Sequence, residues 1–160
     1  MFEITTATVA EIAPHLNGYG ANYPFIRETL RARSVDAPPS ERPFVQLDDS
    51  ELPGDVADRI LGYADIPRAN RPVGIDYTGE PVVVGGDASM QILLYSLAGL
   101  ESHIRASVPD IAKAYDASGG MNAFVELRGD SLTAEEYLVG GTLDCIRYCR
   151  QMRHVLVIRW

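Results

Sequence analysis

Val73–Ile104 reads VGIDYTGEPVVVGGDASMQILLYSLAGLESHI, and its reading decides the fold. Val73, Ile75 and Tyr77 alternate with Gly74, Asp76 and Thr78, the period-2 pattern of a half-buried strand. Thr78-Gly79-Glu80 supplies turn residues, and Val82-Val83-Val84 supplies the return strand. Pro81 lacks a backbone donor, so it belongs at a strand start or an edge. Gly85-Gly86 breaks the strand, and Asp87 is a suitable N-cap for a following helix. Met90, Leu93, Leu94, Leu97, Leu100 and Ile104 then recur three and four apart. That stripe predicts a helix over 88–105 covering one face of a sheet.

Outward from this unit, further segments read as strands or helices on either side. Phe2–Thr5 suits a first strand, followed by Thr8 and Glu11 as a T-x-x-E capping box for a helix over 9–16. Residues 24–33 read as a second helix with Pro24 in its first turn, and 35–43 read as a Pro-rich loop. Residues 44–47 and 123–127 read as strands. Thr133 with Glu136 gives the clearest helix start, backed by Leu132 and Tyr137 as a hydrophobic staple. Gly140-Gly141 is a place where that helix bends or divides. VLVIRW at the end is nearly continuous in apolar residues, as in a strand buried on both faces. The expected fold is α+β, a single domain over 1–160. Its small, mainly antiparallel sheet contains 44–47, 73–77, 82–85, 123–127 and 155–159, with helices packed on it.

Composition bounds the function. The chain has 160 residues, enough for one domain with a normal core. No apolar run reaches the ~18–20 residues of a membrane span, and MFEITTATVAEI lacks the basic and apolar regions of a signal peptide. A cytoplasmic protein without membrane attachment is expected. The net charge of −8 argues against nucleic-acid binding and suits a basic protein partner. Lys113 is the one lysine among 14 cationic residues, an Arg bias that points to a GC-rich bacterial or phage genome. Cys145 and Cys149 sit four apart, on one helix face, and read as small buried hydrophobes.

Chemistry-bearing motifs are sparse. His15, His103 and His154 are isolated, and neither H-E-x-x-H nor C-x-x-C occurs, so no metal or cofactor is expected. No G-x-S-x-G marks a nucleophile, and Asp76, Glu80, Glu135 and Glu136 read as turn and cap residues. Binding residues are expected in two polar loops. One is 17–24 with the helix after it, where Tyr19, Asn22, Tyr23, Arg27 and Arg31 combine aromatic area with cations. The other is 47–55, where Asp48, Asp49 and Glu51 suit a basic partner.

Two resemblances bear on function. FEITTATVAEIAPHL resembles the start of an acyl-CoA N-acetyltransferase, which implies a pyrophosphate-binding turn between a strand and a helix. The equivalent position here, Gly85-Gly86-Asp87, departs from that family's R/Q-x-x-G-x-G/A pattern. The hairpin with GGDASMQILLYSL resembles small bacterial α+β domains of immunity or uncharacterised type, through Gly86, Asp87 and Gln91, and implies no catalytic residues. The leading expectation is therefore a non-enzymatic module, an immunity or inhibitor protein for a basic partner. A small acyl-CoA-dependent transferase and a structural or assembly component are the alternatives.

Overall fold

The computed structural model describes residues 1–12, 34–48, 50–52, 54, 82–86, 89–93 and 97–159. Within these the architecture is α+β, with helices against a mixed sheet. The strands are β1 (Phe2–Ala7), β2 (Val45–Leu47), β3 (Val82–Gly86), β4 (Ser89–Leu93) and β5 (Val155–Arg159). The helices are α1 (Val9–Ile12), α2 (Leu97–Ser107), α3 (Pro109–Ser118), α4 (Met121–Arg128) and α5 (Ala134–Met152). The sheet order is β2-β1-β5-β3-β4. Only the β3–β5 pairing is parallel; β1–β2, β1–β5 and β3–β4 are antiparallel.

The alternation in β1 follows from its two faces. Phe2 and Ile4 are buried, in register with Leu47 and Val45 of β2, while Glu3 pairs with exposed Gln46. β5 lies between β1 and β3 with Val155, Leu156, Val157 and Ile158 all buried. Its continuous apolar run is what a central strand covered on both faces requires.

The long helix α5 packs against β1, β2 and β5 and carries the core's largest share of buried residues, from Leu138 to Cys149. Its start is the capping box read from sequence. Glu136 N–H donates to Thr133 Oγ1 at 3.1 Å, and Thr133 N–H donates to Glu136 Oε1 at 3.3 Å. Leu132 and Tyr137 are half-buried against the core at this end. The helix runs unbroken through Gly140-Gly141. These glycines serve close approach: a Cβ at 140 would meet Met121 and Phe124 of α4, and one at 141 would meet Val45 of β2. At the other end Arg153 adopts a left-handed conformation, φ 56°, and a strap from 34–35 fixes it. Val35 N–H donates to Met152 O at 2.9 Å, and Ser34 Oγ donates to Arg153 O at 3.0 Å.

Three expectations are corrected. The helix expected over 88–105 is divided: 89–93 is strand β4, and helix begins at Leu97. Ser89-Met90-Gln91-Ile92-Leu93 alternates in polarity as well as fitting a helical stripe, and five residues cannot separate the two periods. Pairing with β3, in register Gly86↔Ser89 to Val82↔Leu93, selects the strand. As a result α5, and not a helix over 88–105, lies against the sheet. The segment 123–127, expected as a strand, belongs to α4. Met121 and Phe124, three apart, are buried there, whereas Val125 and Leu127 are exposed. Finally, α1 has half of its capping box. Glu11 N–H donates to Thr8 Oγ1 at 3.3 Å, but the Glu11 carboxylate is drawn to Arg42. The expected strand 73–77 and helix 24–33 lie outside the described residues.

Candidate binding groove

One face of α5 is left between two walls. Tyr137, Gly141, Asp144, Tyr148 and Gln151 recur four and three apart, so they share a face and form the floor of a groove. Ser40–Phe44 forms one wall, and Met121, Asn122 and Val125 of α4 form the other. The groove encloses about 470 Å³. Phe44, at the lip, is 56% exposed, and Val125 opposite is 38% exposed. Phe44 and Val125 are thus two exposed apolar side chains on the walls of a groove with a largely polar floor.

The wall at 40–44 is anchored by Arg42, which is buried. Its guanidinium pairs bidentately with Glu11, at 2.6 and 2.7 Å, and donates to Thr6 O at 3.2 Å and to Ala37 O. The Arg42 hydrogen bonds hold the Glu11 carboxyl below its usual range, and the same pairing raises Arg42. Beside it, buried His154 donates from Nε2 to Val35 O at 2.6 Å. A carbonyl can only accept, so Nε2 carries a proton, and Nδ1 faces Thr6 Oγ1 at 3.4 Å. The Tyr148 ring packs edge-on against the imidazole at a centroid distance of 5.4 Å.

The floor is fixed by Asp144. Its Oδ1 accepts from Tyr115 Oη at 2.8 Å, from Arg147 at 3.0 Å and from Met121 N–H at 3.3 Å. The carboxylate therefore ties the start of α4 to α5. Burial, then the bond to Asp144, pushes the Tyr115 phenol well above its ordinary range. Among the described residues Asp144 Oδ2 has no donor. A second cluster, Arg105 with Glu101 and Asp116 and Arg150 with Glu101, joins α2, α3 and α5 and is self-neutralising.

Of the residues expected to bind, Asp48 and Glu51 are described and exposed. They close a turn on themselves: Asp48 N–H donates to Glu51 Oε2 at 3.3 Å, and Glu51 N–H donates to Asp48 O at 2.9 Å. Tyr19, Asn22, Tyr23, Arg27, Arg31 and Asp49 lie outside the described residues. The groove residues were not singled out in the sequence. Phe44 carried a signal, because it shares parity with Gln46 and not with the inward Val45 and Leu47. Asp144 and Tyr148 carried none, since their partners come from distant segments.

Neither cysteine suits nucleophilic chemistry. Both are buried thiols outside any disulfide, and desolvation raises the Cys145 thiol far above the ordinary thiol range. Thiol-specific reagents at pH 8 are expected to label native protein at a small fraction of the rate seen in denaturant. Rapid native labelling of Cys145 would refute its assigned packing. Among the described residues no group of three His, Cys, Asp or Glu side chains could hold a metal ion, and no helix is long and apolar enough to cross a membrane. β3 runs to Gly86 and the next described element, from Ser89, is strand β4 and not the helix that a pyrophosphate-binding turn opens; Asp87 lies outside the described residues. No family model, curated protein or solved structure matches the chain.

Proposed function

We propose that this chain is a non-enzymatic binding protein that recognises a basic protein partner through the groove over α5, the mode of action of an immunity or inhibitor protein. The observation that carries it is that Phe44 and Val125 are exposed on the walls of one polar-floored concavity. The charge of −8 supports a cationic partner by steering encounter. Glu41, exposed on the Phe44 wall, adds to that field locally.

The test uses two Lys/Arg-enriched peptide libraries, one linear and one constrained as helices, panned against the full chain. Binders are expected to lose at least tenfold in affinity against Phe44→Glu. The denaturation midpoint of that variant should stay near wild type, because residue 44 is largely solvated. Failure to recover binders from either library, or binders indifferent to Phe44→Glu, would overturn the proposal.

A further inference from the structure

We infer that residues 34–42 form a latch, fastened by the Glu11–Arg42 pair, that opens as a unit ahead of global unfolding and takes Ser40, Glu41 and Arg42 out of the groove wall. Opening is a property of the chain by itself; its consequence for ligands rests on the binding reading above.

The segment has no apolar anchor. Of residues 34–44, all of them described, only Arg42 is buried. Val35 is 48% exposed, and Pro38 and Pro39 are exposed as well. Immediately beyond, Val45 and Leu47 of β2 are buried in the core. Hydrophobic stabilisation follows the apolar area removed from water, so it holds β2 in place and contributes little to 34–42.

The seat under the latch is polar to match. Thr6, Thr8 and His154 are among the few buried polar side chains of the described residues. Arg42 donates to Thr6 O, His154 Nε2 donates to Val35 O, and Thr8 Oγ1 accepts from Glu11 N–H. At one end Ser34 and Val35 bond to Arg153 O and Met152 O, where α5 stops. At the other end the Arg42 guanidinium reaches Glu11, and it also draws in Ala37 O from the middle of the segment. Between them lies a single 3-10 turn, Pro39–Glu41, closed by Arg42 N–H on Pro39 O. A turn of that length does not persist without support. Losing the Glu11 contact therefore frees 37–42 together. The groups uncovered are hydroxyls, carbonyls and an imidazole, which water can satisfy. Segments with few buried apolar contacts have the lowest opening free energies in a fold.

Ser40, Glu41 and Arg42 line the groove on the same side as Phe44. An open latch leaves Phe44 without the neighbours that complete its wall. A ligand that uses this wall binds the closed form, so ligand and latch stabilise each other.

Acid acts on the same pair. In the open form Glu11 returns to the ordinary carboxyl range, whereas in the closed form the Arg42 hydrogen bonds hold it lower. Closure is thus fully favoured above 4.5 and is lost as pH falls through the lower closed-state value. Thr8 and His154 also face Glu11, and Tyr148 and Asp36 face Arg42, so the acid response is read with and without the Glu11 carboxylate.

The test is amide exchange of the full chain, resolved by residue, with each rate divided by its intrinsic value at the same pH. Val35 and Arg42 have amides bonded at opposite ends of the latch. They are expected to share one protection factor, at least about tenfold below those of Leu143 and Ile146 in the α5 core. Glu11→Gln should lower both about tenfold at pH 6, since a charge-assisted pair becomes a neutral one. It should also remove most of the fall that wild type shows between pH 6 and pH 3.5. Protection at the core level, unequal factors at the two ends, or a Glu11→Gln variant that matches wild type would overturn the latch and leave the binding proposal standing. A Phe44-dependent binder from the libraries should raise both factors as it saturates the chain. A binder that leaves them unchanged would overturn the link between latch and groove.

Discussion

Arg42→Ala is expected to destabilise the protein by about 3 kcal/mol, measured by chemical denaturation at pH 7. Removing one partner of a buried charge pair costs ~3–5 kcal/mol where both ions are buried. Here the two side chains differ: Arg42 is 6% exposed, but Glu11 is 46% exposed, which reduces the electrostatic share. Loss of the guanidinium also strips donors from Thr6 O and Ala37 O, and an unsatisfied buried carbonyl costs ~1–3 kcal/mol. For a chain of this length ~1 kcal/mol moves the melting temperature by roughly 2–4 °C, so a fall of about 6–12 °C is expected. Arg42→Lys should recover less than half, because an ammonium cannot span both Glu11 oxygens and the two carbonyls together. A loss under ~1 kcal/mol for the alanine variant would mean that the 37–42 segment does not depend on this residue.

The same pair sets an expectation for acid. Glu11 has a folded pKa below its ordinary 4.5, chiefly through the Arg42 hydrogen bonds. The unfolded chain therefore takes up this proton first as pH falls. The stabilisation is complete above 4.5 and is lost as pH drops through the lower folded value. In Arg42→Ala the stability difference from wild type should accordingly narrow below that pH. A difference that stays constant from pH 7 to pH 3 would show that the pairing adds nothing beyond packing.

What could be read in the sequence depended on whether a segment's signal was local. The Thr133–Glu136 capping box involves four consecutive residues, and it formed as expected. The apolar C-terminal run named a doubly covered strand, because burial on two faces leaves a composition that needs no partner to interpret. The division of 88–105 was not readable. Met90, Ile92 and Leu93 satisfy a helix stripe, and only the ladder with Val82–Gly86 distinguishes the strand. Ala123–Leu127 failed similarly, since its helical state rests on Phe124 filling the space above Gly140. The groove was hidden for a related reason. Its floor and walls come from 40–44, 121–125 and 137–151, and none of these carries a motif on its own. What marks them is juxtaposition: an exposed Phe44 set across from Val125, and an Asp144 whose donors arrive from α3, α4 and α5.

Gly141 is where fold and groove meet, and Gly141→Val is expected to cost about 3 kcal/mol. A Cβ there would run into Val45 Cγ2, on a strand residue with no exposed surface. Val45 cannot swing aside, since a β-branched side chain has few χ1 options and this one is enclosed. The helix must instead lift from β2, and overpacking of this kind costs ~1–3 kcal/mol, at the upper end when a branched residue is introduced. Gly140 provides the contrast. Its hypothetical Cβ meets Met121 Sδ at 2.8 Å, the far end of a flexible side chain, and the Phe124 ring at 3.3 Å. Gly140→Ala should therefore lie within ~1 kcal/mol of wild type, because the gain in helix propensity of about 1 kcal/mol offsets a small adjustment. A double-mutant cycle separates clash from any other effect. In the Val45→Ala background, Gly141→Val should lose at least ~1 kcal/mol of its cost, which exceeds the usual non-additivity of unrelated sites. Full additivity would mean that α5 does not seat on β2 through this contact. Because Gly141 is part of the groove floor and Val45 adjoins Phe44, the lifted helix would also displace the floor relative to the 40–44 wall. Gly141→Val should then weaken groove ligands even under conditions where it is fully folded, whereas Gly140→Ala should leave them bound as in wild type.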